Sequence, residues 1–301
     1  MQVRHRSSPP SLTLPRKGGG NAAETAQHPV ANNDVFNANR AIGRIALTVA
    51  ADAGRTRRMR VHEEGSLRVR FPNADPGECE AVVVNTAGGI AGGDRFDLDV
   101  EVGAGARLSV SGAAAEKIYR THGPDAEISV RLDVKRGAAL RWLPQETILF
   151  DRTRVTRHID VDLADDASVV LVEAIVFGRS AMGETVNEGK MFDRWRVRRD
   201  GRMLFAETLK LDGAIAQKLS EKPVAGGAAA IATLLVIPGD DTVSSTVRAL
   251  EDRFSGEVGV SAWNGIAIAR FCARDGAALR RDLVMVLGAL DLGTLPRLWS
   301  N

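Results

Sequence analysis

The chain has 301 residues, 44% of them hydrophobic and 26% charged, with a formal net charge of +2. That length can bury one large or two small cores, and the charge is too balanced to argue for a nucleic-acid partner. No apolar run reaches the roughly eighteen residues of a membrane helix, and the two distant cysteines, Cys79 and Cys272, fit a reducing cytosol while leaving a single bridge open.

Residues 1–39 form a compositional zone of their own, containing SSPPSLTLPRKGGGN (7–21), poor in aliphatics and without the apolar stretch of a secretory signal. Composition predicts a disordered polar tail there, followed by one β-rich domain over residues 40–301. Ile45, Leu47 and Val49 alternate with polar residues, as do Leu67, Val69 and Phe71, and a β-branched run Val82–Val84 follows. All three read as strands.

The stretch Asn85–Asp94 then reads NTAGGIAGGD, with Gly88-Gly89 and Gly92-Gly93 in quick succession. Each glycine costs roughly 0.5–1 kcal/mol relative to alanine inside a regular element. The density therefore marks a loop that takes positive φ or passes close to another group. It has neither the Lys-Ser/Thr of a P-loop nor the GxGxxG spacing.

Phe96–Val102 alternates apolar against acidic, and from there a loose repeat begins. Its turns fall at Gly105, Gly137, Asp166 and Asp200, in steps of 32, 29 and 34 residues. Each unit reads as a strand, a tight turn, a second strand and a longer excursion. Such a period suits layered, helically wound strands, and an antiparallel sandwich with shared turn chemistry is the other solution. Helical spacing is confined to the end of the chain, over about 240–255 and 275–290. Between them a strand is expected over Ser261–Cys272, with Asn264-Gly265 as its turn signal. The fold class is mainly β with two late helices.

Three excursions carry residues that regular strands do not explain. Ala115–Thr121 holds the only tyrosine, Tyr119, with Glu116, Lys117 and Arg120. Leu143–Asp151 sets Pro144, Gln145 and Glu146 where a strand should run and ends on Asp151. Phe177–Glu184 packs two glycines, Arg179 and Glu184 behind a very apolar run. Gly178–Gly183 misses the GxSxG elbow by one residue, and none of the five histidines is paired at ligand spacing. The excursions fall at one phase of the repeat, so they are expected to converge at one end of the stack. Polar residues there need partners if buried. A structural network of Arg and carboxylates, with Glu184 on Arg179 or Glu146 on Arg120, meets that need without any function, and a functional site meets it equally.

Six segments carry a family resemblance: NTAGGIAGGD (85–94), AEKIYR (115–120), LPQETILFD (143–151), GRSAMGE (178–184), LFAETLKLDG (204–213) and LPRLW (295–299). Together, in order over residues 41–301, they resemble the urease accessory protein family UreD, also called UreH. The polar amino-terminal tail is outside that likeness. The resemblance implies layers of helically arranged strands plus two helices. It implies a cytoplasmic, non-enzymatic protein that binds apo-urease and recruits UreF and, through it, the GTPase UreG. It also implies nickel insertion into the urease site, with no tightly bound cofactor and with transient Ni²⁺ moving along an internal polar passage.

On that implication Asp94, Glu146, Asp151 and Glu184 are the expected lining of the passage. Lys117, Tyr119, Arg120 and Arg179 set its charge or shape, and Gly88, Gly89, Gly92 and Gly93 form its loop. Carboxylates suit a cation that must be released again, since Ni²⁺ accepts carboxylate and water as readily as imidazole. Trp195, Trp263 and Trp299 are candidate anchors of partner surfaces, although an isolated Trp is more often core. Two other readings stand beside this one: a carbohydrate-active enzyme using Glu146 and Glu184 as an acid/base pair, for which 5% aromatics is poor material, and a plain β interaction scaffold without a metal role.

Overall fold

In the computed structural model the described residues are 40–72, 77–179 and 182–299; the expected polar tail, 1–39, lies outside them. The chain begins with β1 (Ile42–Asp52), β2 (Arg55–Gly65), β3 (Leu67–Arg70), β4 (Cys79–Asn85), β5 (Arg95–Val102) and β6 (Arg107–Gly112). Next come β7 (Glu116–Ile118), β8 (Ala126–Val134), β9 (Ala139–Leu143), β10 (Thr147–Leu149), β11 (Arg154–Leu163) and β12 (Ser168–Phe177). Then follow β13 (Glu188–Arg199), β14 (Arg202–Ala214), α1 (Ile215–Ser220), β15 (Ala230–Ile237) and α2 (Asp241–Arg248). The hairpin β16 (Glu257–Trp263) and β17 (Ile266–Ala273) and the helix α3 (Gly276–Ala289) close the domain.

The repeat is a winding of parallel strands. One sheet runs β14-β13-β11-β8-β5-β1-β2, and its five central strands are all parallel. The facing sheet runs β16-β17-β15-β12-β9-β6-β4-β3, with β4, β6, β9 and β12 parallel. The coils β5–β6, β8–β9 and β11–β12 pass from the first sheet through a tight turn into the second, whereas β13 turns at Asp200 back onto β14 within the first sheet. The turns stack too: Gly105 N donates to Arg136 O at 2.9 Å, Gly137 N to an Asp166 oxygen at 2.8 Å, and Asp200 N to Leu163 O at 2.9 Å. Gly105 and Gly137 both sit at positive φ, which an L side chain resists. The periodicity therefore reported the coil, and the layered solution holds over the sandwich.

In-register parallel pairing puts equivalent positions of successive coils on one face. Leu98, Val130, Ile159 and Trp195 form one inward column, and Val100, Leu132, Val161 and Val197 the next. Across from them the column Leu108–Leu140–Val169 faces inward from the second sheet. β12 reads as a continuous apolar run because both of its faces are covered. Leu171 and Ile175 join the core between the sheets, while Val170, Val172 and Ala174 pack in a second core with Leu279, Leu283 and Val286 of α3.

The late helices differ in detail from the sequence reading. Asp240 caps α2 by accepting from Thr242 N and Val243 N, as its residue type predicts. The helix stops at Arg248 rather than near 255, and a single 3₁₀ turn (Glu251–Arg253) follows. The buried Asp282 accepts from Ser255 N and Gly256 N, at 2.8 and 2.9 Å, and steers the chain into β16 instead. Asn264-Gly265, both at positive φ, is the turn of a β16–β17 hairpin, so two strands stand where one was expected. The six-residue α1 is too short to show periodicity. Among the described residues no helix is long and apolar enough to cross a membrane, and Cys79 and Cys272 are free.

Leu171 is fully buried where the coil meets the opposite sheet. Truncation in Leu171→Ala is expected to cost about 2–5 kcal/mol, whereas Met203→Ala, at an exposed position, should stay within about 0.5 kcal/mol. Denaturant unfolding of the two variants checks this.

Candidate functional site: a chamber under the glycine loop

The excursions do converge. Ile90 of the glycine loop bridges Ile118 in parallel; β7 pairs β10, and β10 pairs the end of β12. A short third ladder thus closes one end of the space between the two sheets. Its backbone bonds include Ile90 N to Lys117 O at 2.7 Å, Tyr119 N to Ile90 O at 2.8 Å and Gly178 N to Leu149 O at 2.8 Å.

Two of the loop glycines are required by close approach. A Cβ on Gly92 would lie 2.1 Å from Thr121 Oγ1 and 2.6 Å from Pro124 O. On Gly89, where φ is +146°, it would lie 2.4 Å from the Tyr119 ring. Gly88 also has positive φ but faces open space, and Tyr119 donates its hydroxyl to Gly88 O at 2.8 Å.

The four carboxylates singled out in the sequence brace these loops. Asp94 is buried and accepts from Ala91 N at 2.7 Å and Ala41 N at 2.8 Å, closing the glycine loop onto the start of β1. Asp151 accepts from Asn187 N and Glu188 N, at 2.7 and 3.1 Å. Glu184 pairs with Arg179, whose guanidinium lies 4.2 Å over the Phe150 ring; Phe150 in turn meets Tyr119 edge-on at 5.0 Å. Glu146 pairs with Arg280 of α3 at 2.9 Å, not with Arg120. Arg120 is exposed, bridging Thr153 through its backbone. Glu146 and Glu184 are thus held by different arginines, and neither lines the chambers described next. Trp195 and Trp299 are core, and Trp263 is exposed.

Beneath the glycine loop lies a half-open chamber of about 460 Å³ between the sheets. Its lining includes exposed Gly88, Ala113, Ala114 and Lys117 at the rim, Asn85 and Glu116 below them, and Thr147, Trp142, Arg157 and Glu173 at depth. Asn85 Nδ2 donates to a Glu116 oxygen and to Gly89 O, both at 3.1 Å, tying carboxylate to loop. Burial pushes the Glu116 carboxyl up to about 7, against the opposing pull of the Asn85 and Lys117 hydrogen bonds. It therefore exchanges its proton near neutrality.

At the floor, Arg157, Glu173 and Asp193 form a buried ionic cluster, none more than 5% exposed. Arg157 meets Asp193 in a two-point fork, Nε at 3.0 Å and Nη2 at 2.6 Å, and donates Nη1 to Glu173. Trp142 Nε1 donates to Glu173 at 2.9 Å and Trp195 Nε1 to Asp193 at 3.2 Å. Burial would discharge the guanidinium, but the two carboxylates more than offset it and hold Arg157 ionised. Burial raises the Glu173 carboxyl despite the neighbouring arginine. A second, smaller chamber of about 170 Å³ lies beyond and shares Glu173 in its wall; Asp193, Glu207 and Arg270 line it as well.

Among the described residues no group of three or more His, Cys, Asp and Glu gathers as a metal cage. What the chamber offers is two oxygen-donor carboxylates, Glu116 and Glu173, at different depths.

Residues 41–300 match the family model described as UreD urease accessory protein. The chain belongs to the UreD family of urease accessory proteins. It is 54% identical over 269 residues to the urease accessory protein UreD of Rhodopseudomonas palustris, spanning 89% of this chain and 96% of the relative. It is equally similar to the UreD 3 protein of a Bradyrhizobium species, 54% over 268 residues with the same coverage. The UreD protein of Bradyrhizobium diazoefficiens is 52% identical over 269 residues, 89% of this chain and 97% of that one.

The UreD motifs thus coincide with the braces of the chamber, while its interior charges were missed. Glu116 stood inside a quoted motif but without a role. Glu173 was the lone acid of an apolar β12, a readable sign of a buried charge needing a partner. Asp193 and Arg157 sit in alternating strands whose polar residues read as solvent-facing.

Gly88→Ala is expected to cost about 1–2 kcal/mol from backbone strain alone. Gly89→Ala and Gly92→Ala should cost more, because Tyr119 or Thr121 and Pro124 must also move. Arg157→Met leaves two buried carboxylates unpaired and should lose about 3–5 kcal/mol at neutral pH. Thermal unfolding of this set checks the order.

Proposed function

We propose that this UreD-family chain is a non-enzymatic scaffold of urease maturation. It binds apo-urease, recruits UreF and through it UreG, and passes Ni²⁺ through the chamber under the glycine loop. The observation that carries the passage is Glu116: a carboxyl within a half-open chamber, hydrogen-bonded to the loop above it, with proton affinity near neutrality. Such a group takes up a divalent cation by giving up a proton, so capture and release are both within reach of small changes. Sparse oxygen donors hold Ni²⁺ loosely, as a cargo must be held.

In this reading the path-lining role falls on Glu116 and Glu173. Asp94, Asp151 and Glu184 keep the mouth in shape, and Glu146 ties β10's approach to α3 through Arg280. Lys117 and Tyr119 set the charge and outline of the rim. The permanently charged Arg157 repels a cation moving deeper, so transfer toward the second chamber requires Arg157 to swing aside or the ion to leave as it came.

Glu116→Gln is the test. In a urease operon carrying E116Q, the purified urease is expected to contain several-fold less nickel while the accessory complex still assembles. Normal nickel content would remove Glu116 from the path, and nickel-loaded active urease on deletion of the whole chain would remove the accessory role itself. A second readout concerns stability. The Glu116 carboxyl is raised in the folded state from 4.5 to about 7, so the fold binds the extra proton. Stability from this site is therefore greatest at low pH and is lost as pH rises through about 7. E116Q escapes that loss, so it should unfold at a higher temperature than the parent at about pH 8 and nearly level with it at about pH 5.

A further inference from the structure

The first sheet has two edge strands, β14 and β2, and β2 is the one that carries a row of arginines. It is eleven residues long, roughly twice the usual strand, and among the described residues pairs only with β1. The strand facing it at the edge of the other sheet, β3, has four residues, so most of β2 is exposed on both faces. A bare edge of this length is a template for another strand.

Its side chains sort by face. Arg60, Arg57 and Arg55 lie across from Thr48, Ala50 and Asp52 on the solvent face, with Met59 the extra residue of a bulge between them. On the core side Val61 lies across from Leu47 and stays 43% exposed, and Arg58 stacks over Phe71 at 4.7 Å. Ile42 and Met59, 59% and 65% exposed, extend the apolar surface of the same hairpin.

The arginines of β2 are mostly without acidic partners among the described residues. On the solvent face of the central strands, by contrast, Asp99 takes Arg44 and Arg131, and Asp160 takes Arg194 and Arg198. Of the β2 arginines, only Arg57 has an acidic partner among the described residues, Asp52. Arg55 and Arg60 have none among the described residues. The nearby acids are engaged, Glu63 by Arg70 and the Val69 amide, and Glu64 by His62.

We propose that the β2 edge is a docking strand for an extended acidic segment of a partner protein. The segment adds to the sheet by backbone pairing, sets its carboxylates against Arg55, Arg57 and Arg60, and covers Val61 with apolar residues of the alternate face. A second copy of this chain fits less well, because each β2 would bring its own surplus of arginine to the pairing. This inference is independent of the nickel passage and uses none of its residues.

The test uses the full-length chain and a ten-residue peptide alternating glutamate with valine or threonine, with its lysine analogue as control. Hydrogen exchange of the β2 amides is expected to slow about tenfold with the acidic peptide and to be unchanged by the lysine one. The double variant Arg55→Gln/Arg60→Gln, at exposed positions that the fold does not need, should bind it about tenfold more weakly. Three results would overturn the proposal: no protection at millimolar peptide, binding without protection of β2, or protection that grows with protein concentration alone.

Discussion

Parallel pairing in register is the constraint from which the rest of this structure follows. Once β5, β8, β11 and β13 are stacked, equivalent residues of successive coils must share a face. A slip of one residue would turn every inward side chain outward. The apolar columns through Leu98 and Val100 hold that register. The same register lays a fourth column, Phe96, Ile128, Arg157 and Asp193, beside them. Arg157 therefore meets Asp193 because they are neighbours in adjacent coils, and Glu173 completes the cluster from the opposite sheet.

Burying three charges is seldom the most stable way to fill a core. The arrangement is tolerable because the hydrogen-bonding capacity is largely used: the guanidinium forks onto Asp193 and reaches Glu173, and two indoles donate to the carboxylates. What the cluster supplies beyond stability is a fixed electrostatic floor between two chambers. With one cation and two acids in contact, it gives the largely apolar chamber above it a charged floor, and among the described residues no metal cage forms.

The sequence and the structure agree where periodicity and turn chemistry act over many residues. The turn steps from Gly105 to Asp166 measured the coil, Asp200 is the turn of a hairpin within one sheet, Asp240 marked the start of a helix, and Asn264-Gly265 marked a hairpin. Disagreement appears where tertiary contacts override local preference, as when Asp282 captures Ser255 and Gly256 and ends the helical stretch early. Residue type alone also drew the eye to the mouth of the chamber rather than to its interior. Asp94, Asp151 and Glu184 were conspicuous because they break strands, and residues that break strands are the ones that cap and close loops. Asp193 was inconspicuous because an acid in an alternating strand looks solvent-facing until the identity of the buried face is known. The family motifs hold these braces and also Glu116 and Glu207, but not Arg157, Glu173 or Asp193 of the floor.

The division between braces and interior bears on how a chamber of this kind keeps its shape. Its mouth is made of loop, which by itself would be its softest part. Here each loop is pinned by a carboxylate that accepts from backbone amides or an arginine, and the pinned loops pair through Ile90, β7, β10 and the end of β12. Gly89 and Gly92 let that ladder close without a side chain in the way. The rim is thereby held almost as firmly as a sheet, and Glu116 is carried on one of its strands rather than on a free loop. A group whose protonation near neutrality depends on partial burial needs such a support, because loosening the rim would admit water and return the carboxyl toward its ordinary range. The loop braces and the interior carboxyl are in that sense one device: the first sets the burial, and the burial sets the proton affinity of the second.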